Sequence, residues 1–320
     1  MSDASNFPLV IVNPKSAGGA TRTSWAAAAA DFRAHFGAFQ VAFTKKQGDG
    51  IELAKRAARG GRKFIIACGG DGTINEVANG ILQSGAEDAE LGVLPSGTGG
   101  DFRRTLGIPT EVREAARILR EGVTKQIDVG KVSLVNHADE PATRYFLNVS
   151  SFGLSAAINE RVKTKEIFKW LPGNALRGKA KFAVSTLQEI LDFEFVTVRV
   201  SLDGAAAKPL NTINFCVCNA RYFGGGMKIA PDALIDDALF DVVNIGDIKT
   251  AKIILNVYKL YRGSHLELTE VKAALASRVE VSAARENQTI FLETDGELPG
   301  KLPAVYEIAP RVLKVRVPQN

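Results

Sequence analysis

Short strands that are apolar throughout alternate with helical stretches in the first 130 residues of this chain. The predicted strands are 9–12, 41–43, 64–67 and 91–94, and the predicted helices are 21–36, 50–59, 73–82 and 111–120. A strand that is apolar on both sides needs cover on both sides, which is typical of a parallel sheet between two layers of helices. The sequence therefore predicts a three-layer α/β domain, in which ligands bind beyond the carboxyl ends of the strands.

Strand-like runs become frequent after residue 130. They cover 145–149, 195–202, 212–218, 239–245, 279–282, 289–293 and 312–317, and Asp203-Gly204 is typical of a turn between two of them. This half is predicted to be an antiparallel β domain with a few helices. We therefore expect two domains, residues 1–130 and 131–320, with part of the C-terminal segment able to return to the first. No Pro-rich or Ser-rich linker separates them, which favours a tight cleft over a flexible tether.

Composition excludes several classes of protein. Forty Lys and Arg against 35 Asp and Glu give a net charge of +5, far less than nucleic-acid binders usually concentrate, so no nucleic-acid partner is expected. The apolar runs are too short to span a bilayer, and the first residues lack the features of a secretory signal. With three Cys and three isolated His, a disulfide scaffold, a zinc site or a His-based triad is not indicated. We expect a cytoplasmic protein, with Cys216 and Cys218 as buried small apolar residues.

Three glycine-rich loops follow three of the predicted strands, at 13–19, 69–73 and 95–102. Glycine lets backbone N–H groups approach a phosphate closely, and a helix N-terminus adds partial positive charge. Ser16, Thr73 and Thr98 add hydroxyl groups. Neither Walker A nor the dinucleotide fingerprint is present, so the pattern predicts a phosphate cradle of another type. The alternative is that the glycines only permit tight turns.

Acidic residues accompany these loops. Asp71 and Asp101 would repel a phosphate unless a divalent cation bridged them, and Mg²⁺ prefers one or two carboxylates together with water and phosphate oxygens. Asp71 could instead cap the helix that begins near Thr73. Later, Asp295 and Glu297 stand at a predicted turn after a strand, where a polar hairpin is the simpler interpretation.

The order of these motifs resembles the diacylglycerol kinase catalytic family, which includes bacterial soluble lipid kinases, sphingosine kinases and ceramide kinases. The residues that carry the resemblance are Asn13-Pro14-x-Ser16-x-Gly18-Gly19, Gly69-Gly70-Asp71-Gly72-Thr73-x-Asn75-Glu76-Val77 and Leu94-Pro95-x-Gly97-Thr98-x-x-Asp101-Phe102. Further similarity lies at 219–226, 230–233 and 236–241, and at Asp295-Gly296-Glu297.

The resemblance implies ATP-dependent phosphorylation of a lipid hydroxyl, in a cleft between an α/β nucleotide domain and a C-terminal antiparallel β-sandwich. The implied nucleotide contacts are Asn13, Ser16, Thr44, Gly69, Gly70, Asp71, Gly72, Thr73, Asn75, Gly97 and Thr98. Asp71 and Asp101 would join a Mg²⁺ network, and Asp295 or Glu297 would be the catalytic base. A structural Mg²⁺ would be held by the Asp237 side chain and the carbonyls of Leu234 and Leu239.

Two rival hypotheses stay open. An NAD kinase shares the Gly-Gly-Asp-Gly-Thr motif. A catalytically silent nucleotide- or lipid-binding regulator is kept open by two departures from the family pattern, at Gly100 and Ala238, where many members carry Asn and Gly. The sequence does not identify the lipid acceptor, and a homodimer is left open.

A basic segment at 161–181 carries seven Lys and Arg against one Glu, so its net charge of +6 leaves −1 for the rest of the chain. Phe168 and Trp170 interrupt the charges, and Lys and Arg near anionic lipid each favour binding. We predict peripheral docking of this segment on an anionic membrane. The alternative is a solvated helix–loop–helix.

Overall fold

A computed structural model of the chain describes residues 7–96, 100–164, 193 and 195–319. They form two compact units. The first holds the chain up to Asp128 together with the chain from Pro310, and the second holds Val129–Ala309. The chain passes between them within two long strands, β5 (Val123–Val135) and β15 (Glu297–Val317).

The first unit is a parallel sheet with helices. In chain order its further elements are β1 (Leu9–Val12), α1 (Ala20–Phe36), β2 (Gln40–Phe43), α2 (Asp49–Arg59), β3 (Phe64–Gly69), α3 (Asp71–Ser84), β4 (Glu90–Pro95), α4 (Asp101–Thr105) and α5 (Val112–Glu121). The strand order is β2–β1–β3–β4–β15, with parallel neighbours throughout. The predicted α/β fold is confirmed, and each predicted element of this half ends within two residues of the observed one.

Burial explains this layered arrangement. Every residue of β1 and of β4 is buried, so both faces of the sheet need cover, which the helix pairs α1 with α5 and α2 with α3 supply. At Gly80 of α3, a Cβ atom would come within 2.4 Å of the Ile51 carbonyl oxygen of α2. Glycine at this position therefore permits the close contact of the two helices.

A buried ion pair fixes the end of β15 in this sheet. Arg316 donates from Nη2 to Glu90 Oε2 at 2.7 Å and from Nε to Oε1 at 2.8 Å, and Thr124 donates to the same Oε1 at 2.8 Å. A two-pronged Arg–carboxylate contact fixes geometry as well as charge. It joins the end of β15 to the start of β4, which lies more than 200 residues earlier in the chain.

The second unit is an antiparallel β-sandwich, as the sequence predicted. Its further elements are β6 (Pro141–Phe146), β7 (Val149–Gly153), α6 (Leu154–Thr164), β8 (Val196–Leu202), β9 (Lys208–Thr212), β10 (Asn214–Cys218), β11 (Phe240–Ile245), α7 (Thr250–Arg262), β12 (Val271–Ala276), β13 (Arg278–Ala283) and β14 (Phe291–Thr294). Antiparallel pairs join β12–β11–β10–β7–β14–β15, and β15 also pairs with β13, which continues to β8 and β9.

Aromatic side chains fill the core of this sandwich. The buried rings are Phe146, Phe152, Phe215, Phe240 and Tyr306. The rings of Phe152 and Phe215 stack at 5.1 Å between centroids, and burial raises the pKa of the Tyr306 hydroxyl. A second cluster contains the fully buried thiols Cys216 and Cys218. Burial raises the pKa of Cys218 well above its usual value, so these residues act as small apolar side chains, as expected.

Three strand predictions in this half are corrected. The strand predicted at 145–149 is wrong, because β6 ends at Phe146 and β7 begins at Val149. The strand predicted at 212–218 is interrupted at Ile213 between β9 and β10. The run at 312–317 is only the end of the 21-residue β15. The turn at Asp203-Gly204 is confirmed, with φ angles of 48° and 77°. In the described part of the chain, no helix is both long enough and apolar enough to cross a bilayer.

Candidate active site

The glycine-rich loops share one edge of the first unit's sheet. Val12 of β1 lies opposite Cys68 of β3, and Gly69 lies opposite Pro95 of β4. Because these strands are parallel and their ends are in register, the loops that follow them all leave from the carboxyl edge of the sheet. Thr44 follows β2 at this edge, where its N–H donates to the Val12 carbonyl at 2.9 Å. The described parts of the three loops are therefore gathered as the sequence analysis expected.

Side chains tie these loops together. Asn13 donates from Nδ2 to Thr73 Oγ1 at 3.2 Å, which joins the first loop to the second. Thr21 in α1 shares a hydrogen bond with the Ser96 hydroxyl of the third loop, and the Ser96 N–H donates to the Gly69 carbonyl at 3.3 Å. The roles of Thr21 and Ser96 were missed from the sequence, where their 75-residue separation hides the contact.

The two adjacent glycines of the second loop differ in their surroundings. A Cβ at Gly69 would come within 2.4 Å of Thr73 Oγ1 and 2.9 Å of Ser16 Oγ, whereas one at Gly70 would meet nothing within 4 Å. Gly70 also has an ordinary extended backbone, with φ −92° and ψ −172°. Packing within the protein therefore explains Gly69 but not Gly70, where the position that a Cβ atom would take is open.

The Asp71 carboxylate caps a helix other than its own. Its Oδ2 accepts the N–H of Asp101 at 2.9 Å and its Oδ1 accepts the N–H of Phe102 at 3.0 Å, at the start of α4. The alternative expectation, that Asp71 caps the helix near Thr73, is wrong: Asp71 is the first residue of α3, and that helix is preceded by Gly70 without a side-chain cap. The N-terminal N–H groups of a helix need acceptors, and Asp71 supplies them from a neighbouring loop.

Asp101 is buried beside this cap. It is 6% exposed, and its Oδ1 accepts a hydrogen bond from Arg104 Nη1 at 2.9 Å. Carboxylate oxygens carry more than one lone pair. The hydrogen bonds of Asp71 and Asp101 to protein donors therefore do not by themselves exclude a cation beside these carboxylates.

Glu76 makes a second cap from α3. Its two oxygens accept the N–H groups of Gly48 at 2.8 Å and of Gly50 at 2.9 Å, at the start of α2. A Cβ at Gly50 would come within 2.6 Å of the Glu76 carboxylate, so glycine makes this contact accessible. The sequence analysis quoted Glu76 within a motif but gave it no role, since its partners lie 26 to 28 residues away.

In the second unit, Asp295 and Gly296 form the two-residue turn between β14 and β15. Both have positive φ angles, 47° and 84°, the backbone of the tight hairpin that Asp-Gly favours. The polar hairpin predicted here is thus present. Asp295 Oδ2 accepts the N–H of Leu147 at 2.8 Å, and its Oδ1 accepts those of Asn148 at 2.9 Å and Val149 at 3.1 Å. These three contacts explain why the chain breaks between β6 and β7.

The glycine-rich segment that starts at Asn219 joins this turn. The backbone N–H of Asn219 donates to the Asn148 carbonyl at 2.8 Å, and its Nδ2 donates to the Leu147 carbonyl at 2.9 Å. The motif at 219–226 and the Asp295–Glu297 turn, far apart in sequence, therefore contact the same two residues of one connection.

Glu293 of β14 is a buried carboxylate that the sequence analysis did not single out, and one residue separates it from this turn. Glu293 is 5% exposed and accepts hydrogen bonds from Ser151 Oγ, at 3.1 Å, and from Asn159 Nδ2 of α6. It therefore joins β14 to α6. The sequence analysis placed this position only at the end of the strand predicted at 289–293 and gave it no role.

The loop at 234–239, which the sequence analysis assigned to a structural Mg²⁺, contains a tight turn. Asp237 Oδ1 accepts the N–H of Leu239 at 3.1 Å, and Ala238 between them has a φ of 62°. Such a φ is unusual for a residue with a side chain, and glycine would adopt it without a steric cost. The Leu234 side chain is 49% exposed.

An acidic environment surrounds this loop and suits a cation. Burial, and then the charges of Asp237 and Asp232, raise the pKa of Asp241 to about 6. Carboxylate and carbonyl oxygens are the donors that Mg²⁺ prefers. Within the described ranges, no three His, Cys, Asp or Glu side chains could hold a metal ion together. A Mg²⁺ at either candidate site would therefore need carbonyl, water or phosphate oxygens besides carboxylates.

A cavity of about 670 Å³ lies elsewhere in the second unit, and its lining includes Phe195, Ile213 and Lys249. Ile213 precedes the first residue of β10, whereas the last residue of that strand, Cys218, pairs with Val149 beside Asp295. The cavity is therefore at the opposite end of β10 from the acidic turn. Two predicted nucleotide contacts, Gly97 and Thr98, and residues 165–181 of the basic segment lie outside the described residues.

Comparison with known proteins defines the class. Residues 8–132 match the family described as the diacylglycerol kinase catalytic domain, and residues 148–317 match the YegS C-terminal NAD kinase beta sandwich-like domain. The C-terminal match alone covers more than half of the chain. Together with a diacylglycerol kinase that is 30% identical over 85% of the chain, these matches show that the chain belongs to the diacylglycerol kinase catalytic family and is a lipid kinase, as the motif resemblance indicated.

Individual relatives are similar to this chain along most of its length. It is 30% identical to the diacylglycerol kinase of Bacillus subtilis strain 168 over 274 residues, which are 85% of this chain and 84% of the relative. It is 27% identical over 277 residues to the diacylglycerol kinase of Staphylococcus carnosus strain TM300, 87% of this chain and 84% of the relative. A crystal structure of a proposed diacylglycerol kinase from Bacillus anthracis strain Sterne matches with a TM-score of 0.72 at 25% identity, covering 97% of this chain and 96% of the other.

Proposed function

We propose that this lipid kinase transfers the γ-phosphoryl group of ATP to the hydroxyl of a diacylglycerol-like or sphingoid lipid. The observation that carries the proposal is the edge where three glycine-rich loops leave one parallel sheet and are tied together by hydrogen bonds. The names of the Bacillus and Staphylococcus relatives favour diacylglycerol as the acceptor.

The nucleotide is proposed to bind at this edge. At Gly70 the space that a Cβ atom would fill is open, and α3 begins at the next residue. Phosphate groups bind favourably at such helix starts. Ser16, Thr44 and Thr73 lie at the same edge and supply hydroxyl groups, while the roles of Gly97 and Thr98 rest on their motif.

Magnesium is proposed at two places. Asp71 and Asp101 would hold the ion that accompanies ATP, and the Asp237 side chain with the carbonyls of Leu234 and Leu239 would hold a structural one. In phosphoryl transfer the cation neutralises charge that develops on the phosphate oxygens. Asp232, Asp237 and Asp241 lie close enough for their charges, after burial, to help raise the pKa of Asp241, and this grouping of carboxylates supports a cation at the second place.

Glu297, rather than Asp295, is proposed as the catalytic base. Both Asp295 oxygens already accept backbone N–H groups from 147–149, which suits a residue that fixes the turn. Glu297 takes the proton of the lipid hydroxyl while the hydroxyl oxygen forms a bond to the γ-phosphorus. The bond from that phosphorus to the β,γ-bridging oxygen breaks, and ADP leaves with its electron pair.

Peripheral membrane binding is part of the proposal, because the acyl chains of the acceptor reside in a bilayer. The basic segment 161–181 remains a candidate docking element on its charge alone. Co-sedimentation with anionic liposomes tests it: exchange of Lys165, Lys169 and Trp170 should weaken binding, and unchanged binding would remove the segment from the proposal.

The decisive experiment offers purified protein ATP, Mg²⁺ and a fractionated lipid extract, with NAD in a parallel reaction. Mass spectrometry should identify a lipid phosphomonoester and no NADP. The description of the C-terminal family as NAD kinase-like makes NAD the relevant competitor, and NADP as the product would replace the proposal. ATP binding without transfer to any lipid would instead indicate a silent regulator.

A further inference from the structure

Helix α7 is fixed on the second unit by only part of its circumference. Leu260 packs against the buried cluster that contains Ile229 and Val271, and the Leu260 carbonyl accepts the N–H of Lys228 at 2.7 Å. The helix ends at Gly263, whose φ of 79° is left-handed. These contacts set which side of the helix faces outward.

The outward side of α7 is apolar. Its large exposed side chains are Ile254, Leu255, Val257, Tyr258 and Tyr261, with exposed fractions between 42% and 73%. None of the residues of this 13-residue helix is buried. On a helix at the surface of a globular protein, the residues that face water are normally polar. Grouped exposed apolar residues indicate a surface that another phase or molecule covers.

The charged residues of α7 itself are all basic. Residues 249–262 contain Lys249, Lys252, Lys259 and Arg262 and no acidic residue. The Arg262 guanidinium lies 5.3 Å from the centroid of the Tyr258 ring. Acidic partners come from outside the helix, since Glu270 pairs with Lys252 at 2.6 Å and Glu267 with Lys259 at 3.5 Å. The stretch 247–272, these acids included, holds five basic and three acidic side chains and remains positive.

We propose that this face of α7 lies on the surface of a membrane that contains anionic lipids, with Leu255 and Tyr258 among the acyl chains and Arg262 among the headgroups. A helix that binds parallel to a bilayer combines apolar and aromatic residues with flanking Lys and Arg in this way. The inference rests on the proposed function, since a lipid acceptor brings the enzyme to a bilayer, but it concerns residues other than those of the basic segment at 161–181.

Charge also argues against a second copy of the chain as the occupant. A two-fold contact places the same surface of both copies face to face. Two α7 helices would then bring six basic side chains together, of which Lys252 and Lys259 in each copy are paired with Glu270 and Glu267 outside the helix. The net charge around α7 stays positive, which an anionic lipid surface complements and a second copy does not.

Vesicle binding tests the inference. Wild type and the double variant Leu255→Ser/Tyr258→Ser are co-sedimented with phosphatidylcholine vesicles that contain none or about 30 mol % phosphatidylglycerol. We expect wild type to bind the anionic vesicles preferentially and the variant to bind them at least about 10-fold more weakly. The control Leu275→Ser removes another exposed apolar side chain, 58% exposed on β12, and should bind like wild type.

Each outcome has a defined meaning. Equal binding by wild type and the double variant, with binding lost only on exchange of Lys165 and Lys169, would overturn the α7 assignment. A wild-type dimer in sedimentation velocity that dissociates in the double variant would also overturn it, in favour of self-association. If the double variant unfolds, Leu255→Ser alone repeats the test. Activity on a short-chain diacylglycerol in detergent reports separately on the proposed function, because that substrate requires no vesicle.

Discussion

The Asp71 carboxylate accepts the backbone N–H of Asp101 at 2.9 Å, and so the loop after β3 holds the start of the helix after β4. One side chain thereby connects two of the three loops at the edge proposed for the nucleotide. Any variant of Asp71 should disturb both chemistry and local stability, and the two effects can be separated.

Asp71→Ala should reduce kcat by at least about 10²-fold, because it removes a proposed magnesium ligand and loosens α4. It should also lower the free energy of unfolding by about 1 kcal/mol, the usual cost of a lost helix cap. Glu76→Ala is the matched control, since Glu76 caps α2 from the same helix with two similar hydrogen bonds. Urea unfolding should show similar losses for both variants, with kcat much less affected in Glu76→Ala. Equal kcat losses would remove Asp71 from the chemistry.

Gly70→Ala should preserve the melting temperature but raise KM for ATP by about 10-fold or more, because the added methyl group has space in the protein and would obstruct a phosphate. Gly69→Ala should instead lower the melting temperature, since the methyl group would press on Thr73 and Ser16. Thermal unfolding and ATP titration of both variants test the contrast. An unchanged KM in Gly70→Ala would place the phosphates elsewhere.

Glu297→Gln should lower kcat by about 10²- to 10⁴-fold with little change in stability, as expected when a general base is removed. Asp295→Ala should mainly destabilise the protein, because three backbone N–H groups lose their shared acceptor. The exposed Glu286→Gln serves as the control for removal of a negative charge. Full turnover by Glu297→Gln, with Asp295→Asn inactive but folded, would reverse the two assignments.

Added Mg²⁺ should raise the melting temperature of wild type by stabilising the acidic loop at 232–241. Asp237→Asn should abolish most of this shift, whereas the exposed Asp247→Asn should keep it. The physical reason is repulsion, since Asp237 and Asp232 help to raise the pKa of Asp241, and a bound dication offsets it. Differential scanning fluorimetry with EDTA-treated protein is sufficient, and an equal shift in all three proteins would argue against this metal loop.

The elements of the first unit could be predicted because each is specified locally. The apolar runs at 9–12 and 91–94 each indicate a buried strand from a few neighbouring residues alone. The edge that gathers the loops then follows from parallel pairing. The helix α4 was not predicted, since its five residues begin with N–H groups that are satisfied by Asp71, 30 residues earlier.

The contacts that organise the candidate site could not be predicted, because they join residues far apart in sequence. Asp295 accepts N–H groups from residues 147–149, almost 150 residues earlier in the chain. These hydrogen bonds interrupt the strand predicted at 145–149, and no local sequence pattern indicates them. The outward face of α7 was missed for a different reason. Apolar residues at helical spacing predict burial, and only the fold shows that this face stays exposed.

The central claim is that the shared loop edge binds the triphosphate of ATP. Its most direct test is a crystal structure of the protein with Mg²⁺ and a non-hydrolysable ATP analogue. We predict phosphate oxygens in contact with the Gly70 backbone and the Ser16 hydroxyl, with Asp71 close to the cation. A nucleotide bound elsewhere at saturating concentration, with this edge free of phosphate, would contradict the account.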